Sequence, residues 1–442
     1  MIRHTARVMA VLTVLLMMGC SAEEQPAPQT GTGQSDAIVL GVKEVISPVT
    51  RAQHTGSMNF TQLESTGFGV YGYEGTDAYN SSSSAFNLFV ANTRVTFVSG
   101  GTAPTTSLDI PGSWEYSGDL KPWTTGKKYT FFAYAPYMSA GEGTAGTNAG
   151  INTISTGAGD PTITYTVATD PAQSVDLLWG VRTDTQEKSG LAWIDVTKGA
   201  TTSAVLFTFY HALCALGLHA QVMVDQTNDT DDLGDLSQLG TVGSSDGCKV
   251  TLKSITITPA TTAFHQSGIL NLNNTKAHTP NWTDKTGTIA NLELNSASTI
   301  DAKLLDPDTR DFGVANPSNT GVMSNSSVPG ITESANSQAI IKDDNLFMLI
   351  PQAAQNYTIT IQYYITYKTT GENYHREAHT GTATISNLTL SAGVKYYLNL
   401  VFGLTTFKVS VDAVDWEEST TPVTIASELG TSAGHSLAPR KR

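Results

Sequence analysis

The sequence predicts an all-β fold with only minor helix, and three observations carry that expectation. The chain is 40% hydrophobic but only 14% charged, so its polarity comes from Thr, Ser, Asn and Gly. Thr favours strands, whereas Asn, Gly and Ser favour turns. Apolar residues alternate with period two over long stretches, as a half-buried strand requires. Nowhere does a capped stripe at the helical period persist. At 442 residues the chain exceeds one typical β domain, so two domains are expected.

The first residues set the route rather than the fold. Arg3, His4 and Arg7 precede the apolar run Val8–Met18, which is too short to cross a hydrocarbon core of roughly 30 Å. The run ends in Leu16-Met17-Met18-Gly19-Cys20 before a polar stretch. A small residue followed by Cys at that position resembles the lipobox of bacterial lipoproteins. Residues 1–19 are therefore read as a signal peptide and Cys20 as a lipidated first residue. Several acyl chains, at roughly 0.8 kcal/mol per buried CH₂, would hold it at a membrane. Residues 20–36 are rich in Pro, Gly, Gln and Ser and read as a flexible tether.

Strands are expected next. Ala37–Val42 is an apolar run, followed by the Pro-marked loop Ser47-Pro48-Val49-Thr50-Arg51-Ala52. Further candidates are Phe68–Tyr73, Phe86–Val90, Val95–Val98, Tyr129–Tyr134, Ile163–Val167 and Leu177–Val181, with turn-rich inserts between them. In Tyr357–Lys368 the odd positions are Tyr or Ile. Val394–Leu404 places its apolar residues at even positions, and past Thr405-Thr406 the parity flips to Phe407, Val409 and Val411. The same slip separates Phe207-Phe209-His211-Leu213 from Leu216-Leu218-Val222-Val224. Such a slip needs a bulge, a kink or a change of sheet. The expected division is an N-terminal domain over 37–200, a C-terminal domain over 201–416 and a tail over 417–442.

Composition and motifs exclude several classes of function. A net charge of −14 leaves no basic patch for nucleic acid. Of three cysteines, Cys214 and Cys248 remain after Cys20; they form no disulfide framework, and pairing and isolation are both open. Gly430-Thr431-Ser432-Ala433-Gly434 has the spacing of a nucleophile elbow but lies in a Gly/Ser tail with no helix after it. The acidic loops Asp229–Asp235 and Asp306–Asp311 do not complete a calcium-loop order and read as solvated turns. His211, between Phe209 and Leu213, reads as a core-edge imidazole bonded to backbone, and no histidine has metal-site spacing. No enzyme and no cofactor is expected. Trp114, Trp123 and Trp282 are the aromatics considered for a ligand surface, with packing as their alternative role.

Together the motifs resemble the fimbrillin family, the type V pilin subunits of Bacteroidales. The resemblance rests on the lipoprotein start, Val49-Thr50-Arg51-Ala52, Phe68-Gly69-Val70-Tyr71-Gly72-Tyr73 and Tyr129-Thr130-Phe131-Phe132-Ala133-Tyr134-Ala135-Pro136. It continues through Asp176-Leu177-Leu178-Trp179-Gly180, Phe207-Thr208-Phe209-Tyr210-His211-Ala212-Leu213, Gly393–Leu400 and Val411–Trp416. It implies two transthyretin-like β-sandwich domains in tandem and an outer-membrane precursor. It also implies cleavage between Arg51 and Ala52 by an Arg-specific protease, which makes 37–51 a removable first strand. A neighbouring subunit's strand would then fill the slot, and Val423 and Ile425 in the tail are the donor candidates. The expected function is thus a fimbrial subunit contributing to adhesion, with other fimbrial subunits as partners. The alternative is an anchored surface lipoprotein that binds glycan or a host protein without polymerising.

Overall fold

The chain is described by a computed structural model covering residues 38–45, 58–82, 86–98, 114–116, 118, 121–139, 149–155, 159–183, 189–198, 204–222, 248–295, 338–339, 346–368, 374–402, 406–415, 423–425 and 430–431. In the first half these form β1 (Val39–Val45), α1 (Phe60–Thr66), β2 (Phe68–Gly75), β3 (Asn87–Phe97), β4 (Trp114–Tyr116), β5 (Lys128–Ala135), β6 (Gly150–Ile154), β7 (Thr162–Thr166), a 3₁₀ turn (Pro171–Gln173), β8 (Leu178–Val181) and β9 (Trp193–Val196). Then come β10 (Ala204–His211), β11 (Cys214–Val222), β12 (Cys248–Pro259), β13 (Phe264–Lys276), β14 (Thr279–Ile289), β15 (Leu292–Leu294), β16 (Gln338–Ala339) and β17 (Phe347–Leu349). The last are β18 (Gln352–Lys368), β19 (Tyr374–Leu390), β20 (Val394–Phe402), β21 (Thr406–Asp415), β22 (Val423–Ile425) and β23 (Gly430–Thr431). The fold is all-β, as the alternation and composition predict.

The strands form four sheets among the described residues. The first runs β1-β10-β8-β5-β2-β3-β4, with β9 also on β5. Its central strands are buried on both faces, which explains their unbroken apolar sequences, such as Tyr-Thr-Phe-Phe-Ala-Tyr-Ala in β5. Phe68, Val70, Phe131, Phe207 and Phe209 fill one core. Tyr71, Tyr73, Phe132, Tyr134 and Trp179 point into the other, which the remaining sheets complete. Those sheets are β16-β11-β20-β21-β22 (with β17 on β11 and β23 on β21), β15-β12-β18-β19 and β14-β13-β7-β6. Hydrogen-bonded ladders cross residue 200: β10 completes the first sheet, and β7 pairs with β13.

The long alternating stretch is as expected: Tyr357, Ile359, Ile361 and Tyr363 of β18 are all buried. The two parity slips have different physical origins. At Ala212-Leu213 the chain leaves the first sheet and enters another, because β10 pairs with β1 and β8 while β11 pairs with β17 and β20. The later slip is instead a hairpin. Strands β20 and β21 lie antiparallel with Leu398 opposite Val411, Leu400 opposite Val409 and Phe402 opposite Phe407. Apolar residues meet on one face because the chain reverses, so no single strand changes face there. Phe86–Val90 and Val95–Val98, expected as separate strands, are largely one bulged strand, β3, with Asn92 at φ +43.

Helix α1, which no apolar stripe announces, starts with a capping box of Asn59 and Gln62. The Asn59 side chain accepts from the Gln62 N–H at 3.1 Å, and the Gln62 side chain accepts from the Asn59 N–H at 2.9 Å. Gly67 ends the helix at φ +70, and a Cβ there would lie 2.5 Å from the Val95 carbonyl oxygen. Both the left-handed backbone and the fixed neighbour oppose a side chain. Gly67→Ala is expected to cost about 2–3 kcal/mol, read as a lower urea midpoint at unchanged slope.

Cys214 is a free, buried thiol, so it is not half of a disulfide. Its Sγ donates to the Leu349 carbonyl at 3.3 Å. Burial pushes its pKa up to about 12, which makes it an inert packing residue.

Candidate assembly site

The first sheet curls until its two edges approach, and β1 closes the gap. Along β1 the pleat alternates. Ile38, Leu40 and Val42 point into the core at 1%, 1% and 0% exposure, while Val39 is 40% exposed and Lys43 faces outward. On one side β1 pairs parallel with β10, from Val39 opposite Ala204 to Val45 opposite Phe209. On the other side the Ile38 N–H donates to the Lys121 carbonyl at 2.7 Å, and the Tyr116 hydroxyl donates to the Ile38 carbonyl at 3.1 Å. The side chains of β1 thus cover a slot whose aromatic floor is Phe68, Trp114, Phe207 and Phe209. Phe68 packs edge-on to Trp114 and to Phe209, with centroids 5.2 Å apart in each case. Gly41 lies against this wall: a Cβ would come within 3.0 Å of Leu206 Cδ2 and 3.6 Å of Trp114 Cδ1.

At Met58 a buried carboxylate holds the chain. Asp176 Oδ2 accepts the Met58 N–H at 2.8 Å and lies 2.7 Å from His211 Nδ1, while Oδ1 accepts the Leu177 N–H at 2.8 Å. Asp176 and His211 are both fully buried, and such a carboxylate persists only when its oxygens are satisfied. His211 is therefore bonded to a carboxylate, a correction to the backbone partner expected for it. Nothing in the sequence alone marks Asp176 as an anchor. Its only trace is a carboxylate at the head of the apolar run Leu177-Leu178-Trp179, a place that pays for burial only through hydrogen bonds.

The predicted site residues divide clearly. Cys20, Arg51 and Ala52 lie outside the described residues. Val423 and Ile425 lie on β22, paired with Ala413 and Val411 of β21 in the chain's own sheet. Trp114 and Trp123 are packing residues rather than surface aromatics, each 6% exposed. The curled sheet turns Trp114 onto Phe68 and Phe97, and Trp123 stacks edge-on against Tyr129 at 4.9 Å. Only Trp282 of the three stays partly accessible, with its indole N–H donating to the Ala212 carbonyl at 2.8 Å. Among the described residues no group of three or more His, Cys, Asp or Glu gathers to hold a metal ion. The acidic loops at 229–235 and 306–311 lie outside the described residues.

No family model matches the chain. Over 234 residues it is 31% identical to the fimbrium subunit Fim1C of Phocaeicola vulgatus, a match covering 52% of this chain and 54% of that protein. The chain is a homologue of a fimbrium subunit. It spans about half the length of that curated relative. A fimbrial protein from Bacteroides vulgatus, known from its crystal structure, superposes with a TM-score of 0.55 at 21% identity. That match covers 86% of this chain and 99% of the other, and it establishes a shared fold. The similarity to a fimbrium subunit agrees with the family resemblance of the motifs.

Proposed function

We propose that the chain is a structural subunit of a cell-surface fimbria, delivered as a lipoprotein through Cys20 and activated by cleavage between Arg51 and Ala52. The observation that carries this reading is the geometry of β1. It is an apolar strand at one end of the first sheet's order, it plugs an aromatic slot with three side chains, and Arg51 lies in the sequence between it and Met58. A cut after Arg51 separates β1 covalently from the rest of the chain, while Asp176 keeps hold of the chain at Met58. Departure of β1 uncovers both an apolar slot and the backbone edge of β10. A strand from a neighbouring subunit satisfies both, and repetition head to tail makes a filament.

The partners in this reading are other fimbrial subunits and an Arg-specific surface protease, with the outer membrane as the staging surface before cleavage. The tail strand β22 is the donor candidate, and to donate it must peel away from β21. Arg51→Ala is expected to leave an intact, monomeric, acylated protein at the surface. The native chain should show Ala52 as its new N-terminus by mass spectrometry and SDS-resistant ladders on gels. Fibres of normal length from the Arg51→Ala strain would refute cleavage-driven assembly.

A further inference from the structure

Far in sequence from the β1 slot, a cavity of about 640 Å³ opens between the β13–β14 hairpin, the start of β18 with Pro351 before it, and the end of β19 with Ser391 and Ala392 after it. This is within the size range of small-molecule sites. Its walls include Lys276, His278, Asn281, Trp282, Lys285 and Ser391, and among the described residues no aspartate or glutamate lines it. That is unusual in a chain with 39 acidic and 25 basic residues. Asp284, the neighbour of Lys285 on β14, is not part of the lining.

The chemistry of the walls is specific. Trp282 is held by its N–H on the Ala212 carbonyl, so its partly exposed ring is a fixed apolar surface beside polar groups. Asn281 is oriented by its amide donating to the Asn273 carbonyl at 3.1 Å. The Lys285 ammonium donates to the Pro351 carbonyl at 3.2 Å, which holds it at the cavity wall. Partial desolvation pulls the pKa of Lys285 down, and an anion beside it would compensate that desolvation. His278, in the turn before β14, packs edge-on against Tyr210 with centroids 5.1 Å apart.

We infer that this cavity binds a carboxylate-bearing sugar, with Lys285 pairing with the carboxylate, Trp282 packing on the apolar face of the ring, and Asn281 and Ser391 meeting its hydroxyls. A sugar acid fits better than an acidic peptide because the lining joins one aromatic plate to amide and hydroxyl groups. A peptide would call for a row of backbone partners. Charge-assisted bonds to the carboxylate supply selectivity, and the ring supplies the apolar area. The inference is independent of the assembly reading, since it involves neither β1 nor Arg51.

Titration calorimetry on the full chain tests it, with N-acetylneuraminic acid, its methyl ester and a triglutamate peptide as probes. The acid is expected to bind saturably, to weaken as salt rises, and to bind at least about tenfold more tightly than the ester. Lys285→Gln should lower affinity for the acid by about tenfold and shift the unfolding midpoint only slightly, because its bond to the Pro351 carbonyl is made at the exposed surface. Trp282→Phe, which keeps a ring, should weaken acid and ester alike. Equal binding of acid and ester, no saturable binding of the acid, tighter binding of the peptide, or an unaffected Lys285→Gln chain would each overturn the inference.

Discussion

Asp176→Ala is expected to destabilise the chain by about 3–5 kcal/mol, the range for removing one partner of a buried, hydrogen-bonded pair. The carboxylate accepts from two backbone N–H groups, of Met58 and Leu177, and it meets His211 Nδ1. All of these groups are buried, so water cannot replace the lost acceptor without opening the core. Asp176→Asn separates hydrogen bonding from packing. Its remaining oxygen can serve Leu177 or Met58 but not both, so an intermediate loss is expected. Urea unfolding gives the free energies, and amide exchange gives the location. Met58 to Leu63 should lose protection first, since Asp176 is what ties that segment down after the loop. A loss below about 1 kcal/mol for Asp176→Ala would show that the Met58 anchor is not structural.

The clamp also shows what was legible in the sequence. Period-two alternation exposed the all-β class, and Ala37–Val42 stood out as a strand because its neighbours are polar or Pro-marked. Strands buried on both faces, such as β5, appear as unbroken apolar runs, so they were found without any indication of which core each side chain serves. Trp114 and Trp123 were ambiguous for the same reason. A tryptophan in a short segment has no periodicity to show its direction, and the curl of the first sheet decides it. Pairing across long sequence separations was not legible. Asp176 reaches Met58 across 118 positions, and the cavity at Lys285 joins β14 to Pro351, at the head of β18, more than sixty residues away. Helix α1 was missed although its capping box is local, because seven residues carry too short an apolar stripe.

A chain beginning at Ala52 is expected to be unable to persist as a stable monomer until a strand refills the slot. Full burial of an aliphatic side chain is worth about 1.5–3 kcal/mol, so losing Ile38, Leu40 and Val42 removes roughly 5–9 kcal/mol of burial. That is comparable to the whole stability of many domains. The truncated chain should bind a hydrophobic dye and self-associate on a sizing column, and a peptide of residues 37–46 added in trans should reverse both. Leu40→Asp in that peptide should abolish the rescue, since it brings a carboxylate to the aromatic floor. Gly41 adds a register rule. Its contact with Leu206 and Trp114 admits only a small residue one place after the central apolar one. In the tail, Val423, Ile425 and Ala426 reproduce the spacing of Ile38, Leu40 and Gly41, with Ala426 at the restricted place. The close neighbour there is the end of the Leu206 side chain, which can shift for one methyl group. A peptide of residues 421–429 should therefore rescue the truncated chain, and Ala426→Phe should prevent it. A truncated chain that stays monomeric with an unchanged urea midpoint would show that β1 is dispensable to the fold, and the slot would then have no role in assembly.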